Sequence, residues 1–343
     1  MLSKPMELNQ IIDGVVRGKN LNTEESGRAM DMIMSGKATD SQIASLLTAL
    51  RMKGETIEEI TGFARVMREK VTSVKVSREG LVDTCGTGGD QAGTFNISTT
   101  AAFVAAGAGL PVAKHGNRSV SSRCGSADVL EALGVNLELS PEQAAQSIAE
   151  VGIGFLFAPK LHLAMKYAIG PRKEIGIRTV FNLLGPLTNP AGAKRQVMGV
   201  YDPALTEMLA EVLLNLGAEH AMVVHGLEGI DEISVCGLTQ ISEVKDGKVI
   251  TYRLDPEEMG VARGSMEQML GGTPRENAEI TLSILQGEKG SRRNVVVLNA
   301  AAVLMSGGLV KDFPRGIKLA EKVIDNGSAY QKLEELREFC KNI

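Results

Sequence analysis

Glycines 86, 88 and 89 in the run Asp83-Thr84-Cys85-Gly86-Thr87-Gly88-Gly89-Asp90, with Asn96-Ile97-Ser98-Thr99 just beyond, are of the type and spacing that gather backbone N–H groups around an anion. Glycine has no Cβ to hold a ligand off. The helix expected to open at Ser98 adds unpaired N–H groups and the positive end of its dipole. Phosphate or diphosphate is the guest this suits. The dinucleotide fingerprint is excluded because the sixth position counted from Gly86 is Gln91. The P-loop is excluded because neither Gly-Lys-Ser nor Gly-Lys-Thr occurs in the chain.

Three further clusters could share that chemistry. Lys114-His115-Gly116-Asn117-Arg118, followed by Ser119, Ser121, Ser122, Arg123, Gly125 and Ser126, supplies cations, hydroxyls and glycines for an oxygen-rich anion. Asp231-Glu232 sets two carboxylates side by side. Beside a diphosphate they suit Mg²⁺, which takes few protein ligands and the rest from water and phosphate; Ser98 offers another oxygen. Arg172, in Pro171-Arg172-Lys173-Glu174, could clamp a carboxylate in two-point geometry. Taken singly, each of these is also what a solvated loop looks like, and it is their combination that carries the argument. The four histidines show no metal-ligand spacing and no nucleophile to activate. His115 and His162 read as pocket walls, His220 and His225 as structural.

These residues need strand ends and helix starts to position them. From about residue 74 the chain alternates, with strands expected at 81–85, 110–114, 135–139, 153–157, 196–201 and 221–225 and helices between them. Such alternation builds a parallel sheet with helices on its faces and ligands at the strands' carboxyl ends. Ser140-Pro141 with Gln143, and Thr273-Pro274 with Glu276, start helices, while Asp246-Gly247 marks a hairpin. Residues 1 to about 73 show helix punctuation only: Asn22 with Glu25, Thr56 with Glu59, and stops at Gly18, Gly36 and Gly54. They predict a unit of about four helices, marginal alone, whose methionines are expected at a subunit interface. The proline-rich stretch of about 160–192 is expected to return to that unit and to leave a cleft. The expected domains are thus 1–73 with 160–192, and an α/β domain of 74–159 and 193–343.

At 343 residues, 43% hydrophobic and 23% charged, the chain reads as an ordinary globular protein of about two domains. A net charge of −4 and the absence of tryptophan argue against a nucleic-acid surface. Cys85, Cys124, Cys236 and Cys340 are scattered, which suits neither a disulfide framework nor a zinc site. No signal-peptide core or membrane-length apolar run is present, so a cytoplasmic location is expected.

In order, Gly86-Thr87-Gly88-Gly89-Asp90, Asn96-Ile97-Ser98-Thr99, Lys114 to Arg118, Arg172, Asn182-Leu183-Leu184-Gly185-Pro186-Leu187-Thr188-Asn189-Pro190 and Asp231-Glu232 closely resemble the anthranilate phosphoribosyltransferase family over nearly the whole chain. The resemblance implies a nucleoside phosphorylase-like fold, a small N-terminal helical domain beside a larger α/β domain with a mostly parallel sheet, and a homodimer through the helical unit. It implies transfer of 5-phosphoribose from phosphoribosyl diphosphate (PRPP) to the amine of anthranilate, in tryptophan biosynthesis. By motif, Gly86, Gly89, Asp90, Thr94, Asn96, Ile97, Ser98, Thr99, Lys114, His115, Gly116, Asn117, Arg118, Ser119, Val120, Ser121, Ser122 and Ser126 would hold PRPP. Ser98, Asp231 and Glu232 would hold magnesium, and Gly86, Asn117 and Arg172 anthranilate. No residue is implied as a catalytic acid or base. A pyrimidine nucleoside phosphorylase would use free phosphate and other glycine and lysine signatures. A non-catalytic nucleic-acid-binding homologue would show a basic surface and lack the acid pair.

Overall fold

A computed structural model of the chain describes residues 7–119 and 123–343. Four helices come first: α1 (Leu8–Val16), α2 (Thr23–Met34), α3 (Asp40–Lys53) and α4 (Ile57–Lys70). The punctuation acts as expected. Asn22 and Thr56 accept N–H groups of their helices' first turns while Glu25 and Glu59 reach back to the cap N–H. Glu59 is fully buried. It also accepts from Leu21 N–H at 2.9 Å and Lys53 Nζ at 2.9 Å, which ties α3, α4 and the α1–α2 connection together.

The α/β part then runs β1 (Val82–Gly86), α5 (Ile97–Gly107), β2 (Val112–Gly116), α6 (Ser126–Ala132), α7 (Pro141–Glu150) and β3 (Ile153–Phe157). After it come α8 (Ala158–Leu161), α9 (Lys166–Ile175) and α10 (Phe181–Leu184), then β4 (Arg195–Gly199), α11 (Leu205–Asn215), β5 (His220–Gly226), β6 (Thr239–Lys245) and β7 (Lys248–Leu254). Helices α12 (Met266–Met269), α13 (Pro274–Leu285), α14 (Ser291–Ser306), α15 (Phe313–Asp325) and α16 (Ser328–Lys341) complete the chain.

The sheet has the order β3-β2-β1-β4-β5-β6-β7, parallel from β3 to β5 and antiparallel through β6 and β7. Strand order reverses between β1 and β4, and the crevice beyond their carboxyl ends is the place such sheets offer a ligand. Side chains alternate across the sheet. Val197, Met222 and Val224 face a core shared with α5 and α14. Met198, Ala221 and Val223 face a second core, which runs through α11 into the helical bundle. Helices α9 and α10 belong to that second core through Ala168, Phe181 and Leu184, so the bundle gains its missing apolar partner within the chain. Met30, Met34 and Met67 are buried there, whereas Met52 is 84% exposed.

One expected strand is absent. Val135, Leu137 and Leu139 alternate buried with exposed Asn136 and Glu138, as a half-buried strand would, but residues 135–139 form no ladder. The segment is an extended connection whose periodicity comes from packing on the core. The hairpin does form, with Asp246 at φ 50° and Gly247 at φ 72° closing β6 onto β7. Among the described residues no helix is long and apolar enough to cross a membrane.

Candidate active site

At the switch point Gly86 of β1 lies beside Gly199 of β4, and Thr87 N–H donates to the Gly199 carbonyl at 2.9 Å. Positive φ angles at Gly88 (62°) and Gly89 (80°) then turn the chain so that the N–H groups of Gly89 and Asp90 meet no acceptor among the described residues. Unpaired consecutive N–H groups in such a turn form an anion-binding concavity.

The acid pair closes the same crevice. Gly88 N–H donates to Asp231 Oδ2 at 3.0 Å and Ser98 N–H, in the first turn of α5, to Glu232 Oε1 at 3.0 Å. Asp231 N–H reaches Asp90 Oδ2 at 3.4 Å. Glycine is required here by close approach. A Cβ on Gly86 would stand 2.7 Å from Asp231 Oδ2, and one on Gly199 would overlap the Asp231 carbonyl.

Asp231 is held above its ordinary carboxylate range by burial and by Asp90. Glu232 is raised to about 8 by burial and by Asp231, with Lys114 opposing. Such under-compensated hard oxygens fit a divalent cation. Among the described residues no three His, Cys, Asp or Glu side chains gather as a metal cluster.

Lys114 is buried, donating to the Thr84 carbonyl at 2.5 Å beneath the glycine turn, and burial lowers its pKa. Buried Asp83 accepts from His115 N–H at 3.1 Å and from Asn189 Nδ2 at 2.8 Å, so it anchors β1, β2 and the 182–190 motif together. His115 and His162 meet Nε2 to Nε2 at 3.1 Å; burial lowers them to about 3 and about 4, leaving both neutral.

Arg118 pairs with Asp128 at 3.0 Å and Glu131 at 2.8 Å. Asn117 is exposed, and its carbonyl accepts from Ser126 Oγ at 3.3 Å. Gly116 is pressed against Phe155, 2.7 Å from where its Cβ would be. Ser119 N–H donates to Asp128 at 3.0 Å. Val120, Ser121 and Ser122 lie outside the described residues.

Asn96 precedes α5, and its Oδ1 accepts from buried Asn277 Nδ2 at 2.9 Å while its Nδ2 donates to the Cys124 carbonyl at 3.3 Å. A strap at 269–271 steadies this side, pairing Leu270 with Thr94 and bonding Phe95 and Gly93. Ile97 and Thr99 are buried in the first turn of α5, and the Thr99 hydroxyl has no partner among the described residues. Arg172 is half-buried on α9, its guanidinium 5.0 Å from the Phe181 ring centroid. A cavity of about 480 Å³ is lined by Leu270 and Gly271 of the 269–271 strap, by Arg123, and by Glu276, Lys289 and Arg292.

Asn189, Asn277 and Gly199 are the members that sequence reasoning left unassigned. For Asn189 the 182–190 motif was the available signal. For the others none existed, because their partners are remote in sequence.

The fold and the crevice are those of a two-domain glycosyl transferase. Residues 9–71 match the helical bundle domain of the glycosyl transferase family and residues 78–330 its a/b domain. The chain is 59% identical over 336 residues to the anthranilate phosphoribosyltransferase of Pelotomaculum thermopropionicum, covering 98% of this chain and 97% of that one. It is 58% identical to that of Acetivibrio thermocellus, with the same coverage. The Thermus thermophilus enzyme of that name superimposes with a TM-score of 0.92 at 44% identity, over 98% of this chain and 100% of the other. The Saccharomyces cerevisiae enzyme, in complex with PRPP and Mg, gives 0.90 at 27% identity over 98% of both. The chain belongs to the anthranilate phosphoribosyltransferase family of glycosyl transferases.

Proposed function

We propose that the chain transfers 5-phosphoribose from PRPP to the amine of anthranilate, giving N-(5-phosphoribosyl)anthranilate and diphosphate in tryptophan biosynthesis. The observation that carries this is the pair of bonds from Gly88 and Ser98 N–H to Asp231 and Glu232, which joins the anion-binding turn to the acid pair at the sheet's switch point. In this reading Gly86, Gly89, Asp90, Thr94 and Asn96 to Thr99 hold PRPP together with Lys114 to Ser122 and Ser126. Ser98, Asp231 and Glu232 hold Mg²⁺; Gly86, Asn117 and Arg172 receive anthranilate.

An anilinic amine is unprotonated at neutral pH, so its lone pair needs no strong base. That accords with His115 and His162, which are neutral and bonded to one another. The demand is for departure of diphosphate and for the positive charge developing at the ribose carbon. N–H groups of the glycine turn stabilise the leaving group, and losing one such donor typically costs about 3 kcal/mol of barrier. Magnesium, when bound, neutralises diphosphate charge. The Arg172 guanidinium, partly desolvated and without a carboxylate partner among the described residues, suits the anthranilate carboxylate and orients the amine.

The location belonging to this reading is the cytoplasm, and the assembly a homodimer through the helical domain, on which Val16 and Met52 stand exposed. Mass spectrometry of a reaction with both substrates and Mg²⁺ tests the function: N-(5-phosphoribosyl)anthranilate and diphosphate should appear in equal amounts. Formation of ribose 5-phosphate without the adduct refutes it.

A further inference from the structure

Arg178 lies in the turn between α9 and α10, six residues beyond Arg172, and its guanidinium spans two strand ends. Nη2 donates to the Gly89 carbonyl, while the guanidinium plane covers the Tyr201 ring at 4.3 Å from its centroid, just past β4. Its base is fixed: Gly176, at φ 62°, ends α9, Thr179 N–H donates to Asn182 Oδ1 at 2.9 Å, and Thr179 and Val180 are buried. Among the described residues no carboxylate pairs with this guanidinium. Among the described residues this positive group in the crevice thus has only a carbonyl and an aromatic face as partners.

The partner is the informative part. Gly88 and Gly89 have no side chains to hold their left-handed conformations, so the turn that presents the Gly89 and Asp90 N–H groups must be secured from outside. Asp231 secures it through Gly88 N–H, and Arg178 secures the opposite side through Gly89 O. Capping that carbonyl also offsets a dipole unfavourable to an anion, and the unpaired charge adds to the attraction. A planar fork stacked on a ring does this with little loss of freedom; a lysine cannot reproduce it.

We propose that Arg178 is a positioning residue for the donor: from the segment that carries Arg172, it holds the Gly88–Asp90 turn in the shape that receives diphosphate. The proposal rests on the donor site assigned above. The test is calorimetric titration of Mg²⁺–PRPP into wild type and Arg178→Gln, together with steady-state kinetics in each substrate. Losing a hydrogen bond from a charged donor should weaken PRPP binding and raise its KM by roughly tenfold or more, with the anthranilate KM within about twofold. Arg178→Lys should recover only part of the loss, and Tyr201→Leu, which leaves the arginine unsupported, should shift PRPP affinity in the same direction. Arg172→Ala should show the converse split.

Unchanged PRPP affinity in Arg178→Gln, or an equal rise in both KM values, overturns the proposal. If Arg178→Gln does not fold, unchanged PRPP affinity in Tyr201→Leu does so. Wild type that fails to bind Mg²⁺–PRPP would instead overturn the donor site itself.

Discussion

Gly199→Ala should disable the site although no reacting group is altered. Gly199 ends β4 opposite Gly86, and the backbone of Asp231 lies directly against it. An alanine Cβ would sit 2.6 Å from the Asp231 carbonyl carbon and 3.2 Å from its Cβ, with the carbonyl oxygen nearer still. Backbone cannot rotate out of the way as a side chain does, so the Asp231-Glu232 turn must retreat by on the order of 1 Å to restore ordinary contact. Overpacking of this kind costs about 1–3 kcal/mol of stability. A misplacement of that size costs roughly 100-fold in rate. The assay is kcat/KM for PRPP across a magnesium titration, with thermal melting to separate loss of fold from loss of geometry. Gly170→Ala, on α9 where nothing lies within 4 Å of the new Cβ, is the control and should leave magnesium dependence unchanged. Gly199→Ala with wild-type kcat/KM and magnesium dependence would refute the claim that the β4 end sets the position of the acid pair.

Arg172→Ala should raise the anthranilate KM with little change in that for PRPP, as measured by steady-state kinetics; a selective PRPP effect would contradict its role. Asp231→Asn with Glu232→Gln should weaken apparent magnesium affinity beyond the roughly 10- to 100-fold typical of losing an outer-shell partner. Because both carboxyls are held above their ordinary range, the fold binds their protons more tightly than the unfolded chain does, so they cost stability as pH rises from about 4 through about 8. With chelator present, the double variant should therefore lose less stability than wild type over that range in denaturant titrations. His115 and His162 act oppositely. Their folded values of about 3 and about 4 lie below the ordinary 6.5, so their contribution is intact above 6.5 and lost as pH falls towards 4. The loss should be on the order of 3 kcal/mol for each histidine by pH 4, and His162→Gln should flatten that part of the profile.

Much of this architecture is local chemistry and was legible as such. The capping pairs Asn22–Glu25, Thr56–Glu59, Ser140–Gln143 and Thr273–Glu276 each satisfy N–H groups within one helical turn, so their meaning needs no tertiary context. The glycine turn and Asp246-Gly247 are readable for the same reason. Val135–Leu139 misleads because alternation reports burial on one face, while a strand also needs a partner's hydrogen bonds. Residue type identified Lys114 and Arg118 as cations but not what they face: one lies under the turn bonded to Thr84, the other against Asp128 and Glu131. Gly199, Asn277 and Arg178 acquire their roles only when distant segments meet, at Asp231, Asn96 and Gly89 respectively.

The central claim is that the β1–β4 crevice joins activated ribose to anthranilate with the help of magnesium. Anthranilate fluorescence, followed on mixing the protein with PRPP and Mg²⁺, tests it most directly. The signal should decay only when protein, PRPP and Mg²⁺ are all present, and chelator should stop it. Fluorescence that persists under those conditions, with nucleoside cleaved on addition of free phosphate, would contradict the account.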